Sequence, residues 1–232
     1  MMMIDVASIG THAGPAMHIP DGFLSTPIAL AGWAVTAVIV AFAARRAEQQ
    51  MNERAVPLMG VMAAFIFAAQ MMNFPVAGGT SGHLLGGALA AALLGPWAAI
   101  IVMTSVIGLQ ALVFQDGGLV ALGTNVLNMG IVTAVLGYLI MRALAPFAKS
   151  SGGRIATAFV AAWLSVVVGS ALCAVELAIS GASPLSVALP AMVGVHVVIG
   201  IGEGLITAAA LSFIKVTNPS LLPQTMTTEV AR

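Results

Sequence analysis

Charged residues are scarce in this 232-residue chain. Lysine, arginine, aspartate and glutamate together make up 7% of it, whereas hydrophobic residues make up 60%. A soluble domain carries about 25% charged residues, so this chain has too few charges to cover a water-facing surface. The composition excludes an ordinary soluble protein and indicates a chain that lies mostly within a lipid bilayer.

Several other features are missing, and each absence excludes a class of function. The formal net charge is zero, so the chain has no basic footprint for nucleic acid. Its single cysteine, Cys173, cannot form an internal disulfide. The sequence contains neither the phosphate-loop motif G-x-x-x-x-G-K-[ST] nor the zinc-protease motif H-E-x-x-H. We therefore predict a membrane subunit that is not an enzyme and that holds no organic cofactor.

Long apolar runs separate the few charges, and most of them are near the roughly 20 residues that a membrane-spanning helix needs. They predict an all-α fold, a polytopic membrane bundle of about seven transmembrane helices. The third span is short, and we expect it to be tilted or to pair with the fourth around Gly95-Pro96. The predicted spans are Ile28–Ala44, Val56–Met72, His83–Leu94, Trp97–Phe114, Leu119–Leu144, Ile155–Ile179 and Leu189–Ile214.

The positions of the basic residues predict the orientation of the bundle. Cytoplasmic loops carry an excess of lysine and arginine, and an N-terminus outside places every basic residue on the cytoplasmic side. We expect a multi-pass protein of the inner (cytoplasmic) membrane, with residues 17–215 as the membrane domain and 216–232 as a cytoplasmic tail. The basic residues are Arg45, Arg46, Arg54, Arg142, Lys149, Arg154, Lys215 and Arg232.

Two of the four histidines, His18 and His83, fall on the predicted outer side. Each lies beside turn sequence rich in glycine or proline, and glycine permits tight, unusual backbone paths. Non-helical backbone at membrane depth is tolerated only where protein or a water-filled cavity satisfies it. These two facts predict a binding site on the outer face.

Several long motifs lie around these histidines, from Met17 to about Gly130. They are Met17–Leu24 (MHIPDGFL), Gln70–Val76 (QMMNFPV), Gly78–Gly87 (GGTSGHLLGG), Phe114–Gly118 (FQDGG) and Gly123–Gly130 (GTNVLNMG). In these motifs and in their order the sequence resembles the CbiM/NikM family, the substrate-binding S components of energy-coupling-factor transporters for cobalt and nickel.

The resemblance implies a metal site made of four nitrogens from three residues: the α-amine of Met17, the backbone nitrogen and imidazole of His18, and the imidazole of His83. The amine and the His18 amide close a five-membered chelate ring, and that amide and Nδ1 close a six-membered one. Planar nitrogen coordination suits Ni(II), whereas magnesium and calcium prefer oxygen. The transported ion is expected to be Ni(II) or Co(II), and the residues do not distinguish the two.

The sequence departs from the family pattern at its start, because residues 1–16 precede Met17. The Met17 nitrogen is an amine ligand only when Met17 is the first residue. Residues 1–16 are therefore expected to be either a flexible tail or the product of a misassigned start, and we favour the second. If the tail is real, His12 could act in place of the amine.

Four polar residues near the motifs are candidates to support the ligands, because metal-bound histidines usually donate their other ring nitrogen to a carboxylate, carbonyl or water. For Asp21 a purely local role in the turn Pro20-Asp21-Gly22 is the alternative. The candidates are Asp21, Asn73, Thr80 and Ser81.

The resemblance also implies partners. An S component needs a transmembrane coupling (T) component and cytoplasmic ATPase subunits, with room for a small accessory membrane subunit. In the family's wider class, alanine-rich faces of the first spans contact the coupling subunit, and Ala37 and Ala41 have the spacing of such a face.

The main alternative is a proton-coupled secondary metal transporter that works alone. His196 and Glu203 are seven residues apart and share a face of the last span, and Glu176 lies near the outer end of the span before it. Ionisable residues inside a membrane are functional candidates, although a structural hydrogen-bonded pair would give the same pattern. A membrane metal sensor is a third possibility.

Overall fold

The computed structural model describes residues 18–50, 55–71, 74–75 and 81–222. In this part of the chain the protein is a bundle of seven helices. Two short strands, β1 (Phe74–Pro75) and β2 (Ser81–Gly82), pair antiparallel between the second and third helices. The helices are α1 (Thr26–Gln50), α2 (Ala55–Gln70), α3 (Gly87–Leu94), α4 (Pro96–Val113), α5 (Leu122–Leu144), α6 (Ser151–Ile179) and α7 (Leu185–Thr217).

The all-helical class is confirmed, and each of the seven predicted segments overlaps one of the seven described helices; that all seven span the membrane stays a prediction. Five of the described helices, α1 and α4 to α7, are long and apolar enough to cross a membrane. Helix α2 is apolar but has 16 residues, and α3 has eight. The chain is a multi-pass membrane protein, and α3 at about 1.5 Å per residue covers only part of a bilayer roughly 30 Å thick.

The outer faces of α1 and α7 are apolar. Leu30 and Val38 of α1 are 63% and 70% exposed, and Val198 and Phe213 of α7 are each 68% exposed. Soluble proteins rarely leave such continuous apolar faces in water. In a bilayer these faces contact lipid tails.

Helix α3 begins four residues later than the sequence predicted, at Gly87 rather than His83. Just before the helix, the backbone N–H groups of Leu85 and Gly86 donate to the Glu203 carboxylate of α7 at 2.8 and 2.6 Å. Gly86 also has a φ of +83°, outside the helical region. The residues between β2 and α3 are therefore held as non-helical backbone inside the bundle.

Helices α3 and α5 approach closely because small residues face each other. A side chain at Gly137 would lie 2.7 Å from the Cβ atom of Ala88, and one at Gly87 would overlap Thr133. Small residues let membrane helices pack backbone against backbone. This contact fixes the short helix α3 against a full-length span.

Helix α5 starts at Leu122 rather than at the predicted Leu119, and its second turn is not α-helical. Residues Val126–Val132 form a π-helical stretch between two α-helical parts. Within it Asn128 donates through Nδ2 to the Glu176 carboxylate of α6 at 2.5 Å. π-Helical turns occur mostly as single insertions and frequently near functional sites.

Candidate metal centre

His18 lies in the non-helical segment that leads into α1, and its ring is buried. Its Nδ1 atom is 2.9 Å from the backbone carbonyl oxygen of Asp116 and 3.5 Å from that residue's carboxylate. A carbonyl only accepts, so Nδ1 donates and carries the hydrogen. The connection between α4 and α5 therefore orients the ring of His18.

His83 immediately follows β2, and its ring lies against that of His18. The two ring centroids are 5.1 Å apart with the planes at 89°. Both histidines are buried, each with 4% of its surface exposed. Nδ1 of His83 lies 2.7 Å from the carbonyl oxygen of Leu84, to which it donates. The structure thus brings together two imidazoles that are 65 positions apart in the sequence.

The electrostatics of the site favour a neutral imidazole at His18. Burial lowers the pKa of His18 below its ordinary value, and the charge and backbone carbonyl of Asp116 oppose that shift. With Nδ1 protonated, the lone pair of His18 lies on Nε2. That atom is buried and has no hydrogen-bond partner within the part of the chain that the structure describes. A buried nitrogen lone pair with no partner is a costly arrangement that a bound cation would satisfy.

Asp21 holds the His18 segment in place through backbone rather than through the histidine. Its carboxylate accepts from the N–H groups of Leu119, Val120 and Ala121 at 2.8 to 3.2 Å. These N–H groups lie just before α5, where a helix start leaves N–H groups without an intrahelical partner, so Asp21 stabilises the start of the helix. The predicted support of His18 by Asp21 is therefore indirect, and the purely local turn role does not describe it.

Asn125 provides a second anchor for the same segment. Its side-chain oxygen accepts from Ile19 N–H at 3.0 Å and its Nδ2 donates to Ile19 carbonyl at 3.1 Å. This two-way pairing fixes the residue next to His18. Gly118 N–H adds a bond to the Ile19 carbonyl at 2.9 Å.

The glycines of the α4–α5 connection let this segment come close. Gly117 has a φ of +95°, and a Cβ atom there would lie 2.6 Å from Cβ of His18. A side chain at Gly118 would overlap Asp21. Glycine at these two positions is a steric requirement of the way the two segments pack.

Two side chains hold the His83 segment. Gln70, at the end of α2, donates to the carbonyl of Leu85 at 2.7 Å. Glu203 of α7 accepts from the N–H groups of Leu85 and Gly86. Gln70 and Glu203 are both buried. Three helices, α2, α3 and α7, therefore meet where His83 enters the bundle.

The proposed pairing of His196 with Glu203 does not form. Glu203 binds the backbone before α3, while Nδ1 of His196 donates to the carbonyl of Met192 in its own helix at 2.7 Å. Glu176 pairs with Asn128 instead. The structural pair of His196 and Glu203 was therefore a wrong prediction, because the partner of Glu203 is the Leu85–Gly86 backbone.

Sequence reasoning missed the residues that orient His18, namely Asp116 and Asn125. Both lie in motifs that carried the family resemblance, and that was the signal that could have found them. Four of the predicted site positions cannot be placed: Met17, Asn73 and Thr80 lie outside the described residues, as does the side chain of Ser81.

Two imidazoles alone do not complete a metal site. Within the described ranges no group of three His, Cys, Asp or Glu side chains could hold an ion. In the observed conformation Nδ1 of His18 faces the Asp116 carbonyl. The predicted six-membered chelate through Nδ1 therefore requires the ring to leave that carbonyl, whereas Nε2 is available without movement.

Comparison with known proteins gives a consistent family. Residues 18–221 match the family described as cobalt uptake substrate-specific transmembrane region. The chain is 33% identical to the cobalt transport protein CbiM of Sorangium cellulosum, over 93% of this chain and 98% of that protein. It is 35% identical to the fused nickel transport protein NikMN of Rhodobacter capsulatus, over 89% and 64% of the two chains. A crystal structure of a transition metal transporter superposes with a TM-score of 0.80 at 31% identity, covering 88% and 94%.

Proposed function

The chain belongs to the CbiM family, and from that premise we propose that it is the substrate-capture (S) component of an energy-coupling-factor importer for Ni(II) or Co(II). The observation that carries the proposal is the pair of buried imidazoles, His18 and His83, with ring centroids 5.1 Å apart. Each donates Nδ1–H to a backbone carbonyl, the arrangement in which ligating histidines are usually oriented.

The ligand set of this proposal is nitrogen-rich. His18 and His83 supply imidazoles, and the backbone nitrogen of His18 and the amine of Met17 supply the rest. Because the backbone nitrogen of His18 can share an ion with its own Nδ1 but not with its Nε2, this set requires the His18 ring to leave the Asp116 carbonyl when metal binds. Such a set favours nickel or cobalt over magnesium and calcium, which take oxygen ligands. The buried site excludes water, which strengthens the preference for an ion that the nitrogens can fully coordinate.

The direction of capture follows from charge placement. With the N-terminus outside, all eight lysine and arginine residues lie on the cytoplasmic side, and the histidine site opens outwards. The cell inner membrane is the membrane in which this orientation supports import. The C-terminal end of α7 and residues 216–232 then face the cytoplasm.

The chain would work with separate partners that supply energy: a transmembrane coupling component and cytoplasmic ATPase subunits, with or without a small accessory membrane subunit. Ala37 and Ala41 are exposed on the surface of α1, where such a coupling component could approach closely. An exposed stripe of small residues supports α1 as the contacting helix.

The first test is a titration of the purified chain with Ni(II) and Co(II). His18→Ala and His83→Ala should each weaken binding roughly 100-fold or more, since loss of an outer-shell partner alone costs 10- to 100-fold. His196→Ala is the matched control, because that half-buried histidine bonds only to the Met192 carbonyl in the described structure, and it should bind as the parent does. Equal losses in all three variants, or no loss in any, would contradict the proposed site.

Two further experiments test whether the Met17 amine is a ligand and whether the chain transports metal on its own. A chain that begins at Met17 should bind more tightly than the 232-residue chain if the Met17 amine is a ligand, and equally if it is not. Reconstituted alone in vesicles, the chain should not accumulate metal in response to a pH gradient. Accumulation would favour a self-sufficient secondary transporter, and binding without uptake beside ATPase partners would favour a sensor.

A further inference from the structure

A small cavity of about 10 Å³ lies between α2, α7 and the backbone that leads into α3. About 10 to 15 Å³ is the least volume that holds one water molecule, so this cavity has room for a single particle of that size. Gln70 of α2 and Glu203 and Thr207 of α7 form its polar wall, and every other described residue that lines it is apolar. Neither His18 nor His83 lines it, so it is a site separate from the candidate metal centre.

The Glu203 carboxylate brings a buried charge to this cavity. Its two oxygens accept from the N–H groups of Leu85 and Gly86, and none of the described lysine, arginine or histidine side chains forms an ion pair with it. The two N–H groups are dipoles, which offset only part of the charge. Because buried charges in proteins are paired or coordinate metal ions, a carboxylate in this position favours a cation beside it.

Gln70 lines the same cavity and has an oxygen without a partner. The side chain is fully buried, and its Nε2 atom donates to the Leu85 carbonyl at 2.7 Å. The other end of the amide, Oε1, is also buried and has no hydrogen-bond partner among the described residues. An amide oxygen only accepts, so the group that satisfies it must present either a hydrogen or a positive charge.

The polar wall consists of oxygen ligands: a carboxylate, an amide oxygen and the hydroxyl of Thr207, a residue that is 1% exposed. Oxygen ligands suit hard cations rather than nickel or cobalt. Mg²⁺ usually keeps several of its waters, and Ca²⁺ takes about six to eight ligands, for which this cavity has no room. A sodium ion is smaller than a water molecule, and its single charge balances one carboxylate.

We propose that this cavity binds one sodium ion, held by the Glu203 carboxylate, Oε1 of Gln70 and the Thr207 hydroxyl. The ion ties α2 to α7 across the segment that follows His83, because Gln70 and Glu203 both bind the backbone of that segment. The proposal goes beyond metal capture, and it is tested on the chain without nickel or cobalt.

The test is equilibrium binding of radioactive sodium to the purified full chain in detergent. The chain should bind one sodium ion, and sodium chloride should raise the melting temperature by roughly 3 °C or more over N-methylglucamine chloride at the same concentration. Glu203→Gln removes the charge but keeps an acceptor oxygen, and it should weaken sodium binding at least about tenfold. Glu176→Gln is the matched control and should bind as the parent does, because this buried glutamate binds Asn128 and does not line the cavity.

Two further variants keep the proposal testable if Glu203→Gln folds poorly. Thr207→Val removes the hydroxyl with little change of shape and should weaken sodium binding several-fold. Thr104→Val should not, because the Thr104 hydroxyl donates to the Ile100 carbonyl in its own helix, away from the cavity. Gln70→Lys keeps a donor for the Leu85 carbonyl and supplies a positive charge of its own, so it should neither bind sodium nor need it for stability.

The proposal is overturned if the parent chain binds no radioactive sodium, which is the result expected when a water molecule fills the cavity. It is also overturned if Glu203→Gln or Gln70→Lys binds sodium as the parent does, or if Thr207→Val binds as tightly as Thr104→Val. Equal weakening by Glu176→Gln and Glu203→Gln would place the sodium effect outside this cavity, with the same consequence.

Discussion

The two segments that carry the histidines are held by the same type of group in different surroundings. The His18 segment is anchored by Asp21, whose bonds to the 119–121 backbone are mostly exposed. The His83 segment is anchored by Glu203, which is 3% exposed inside an apolar bundle. In both, a carboxylate satisfies consecutive backbone N–H groups from an element far along the chain. Because an unmade hydrogen bond costs most where water cannot replace it, the buried anchor should matter more than the exposed one.

The largest effect is expected from Glu203→Ala. The substitution leaves the N–H groups of Leu85 and Gly86 buried without an acceptor, which should reduce the free energy of unfolding by about 4 kcal/mol. Denaturant titration in micelles measures the loss. Glu203→Gln keeps one acceptor oxygen and should lose about half as much. Near-parental stability of Glu203→Ala would show that the segment does not need this anchor.

The next largest loss of stability is expected where the α4–α5 connection packs against His18. Gly117→Ala combines a φ of +95° with a Cβ contact to His18, and it should cost about 3 kcal/mol. Gly22→Ala is a matched control, because Gly22 has a φ of +93° but nothing within 4 Å, so it should cost only about 1 kcal/mol. Equal losses would mean that backbone conformation alone, not packing against His18, requires the glycine.

Metal affinity gives a second comparison between Gly117→Ala and Gly22→Ala. Gly117→Ala should displace the His18 ring and weaken Ni(II) binding by roughly tenfold or more, whereas Gly22→Ala should leave the dissociation constant unchanged. Isothermal titration of the two variants beside the parent chain gives the comparison. A weakened Gly22→Ala chain would place the sensitivity in the whole N-terminal segment rather than at the ring.

A smaller loss is expected from Asp21→Asn. The amide oxygen still accepts, water reaches the site, and the cost should be about 1 kcal/mol. Melting in detergent of Asp21→Asn beside Glu203→Gln tests the comparison directly. A loss equal to that of Glu203→Gln would contradict the view that exposure sets the difference.

The smallest effect on metal-free stability should come from His18→Leu. It removes a buried nitrogen that has no partner among the described residues, but it also removes the donor to the Asp116 carbonyl. The two effects oppose each other, so the melting temperature without metal should change little. The stabilisation gained by adding Ni(II) should disappear, since a ligand stabilises only the state that it binds. A large metal-free loss would assign His18 a structural role.

The seven helical segments could be predicted because apolar runs of sufficient length report directly on membrane burial. The starts of α3 and α5 could not, because the partners of the N–H groups just before each helix lie far away in the sequence: Glu203 accepts from those before α3, and Asp21 from those before α5. The π-helical turn at Asn128 likewise depends on a partner in α6.

Part of the candidate metal centre could also be predicted from the sequence. The proximity of His18 and His83 was expected from the family resemblance, and the structure places the two rings side by side. The partners Asp116 and Asn125 were not predicted, since an aspartate that orients a ring through its backbone carbonyl leaves no trace in residue type. The metal ligands themselves and the outward orientation stay predictions.

The His83 segment is synthesised well before Glu203, the residue that anchors it. Leu85 and Glu203 are separated by 118 positions, and a ribosome adds about 5 to 20 residues per second. The backbone beside His83 therefore waits on the order of 10 s after its own synthesis before its acceptor exists. Until α7 has been made, the nascent chain holds both histidines but lacks the group that fixes one of them, so a chain terminated before residue 203 should insert its first helices without assembling the site.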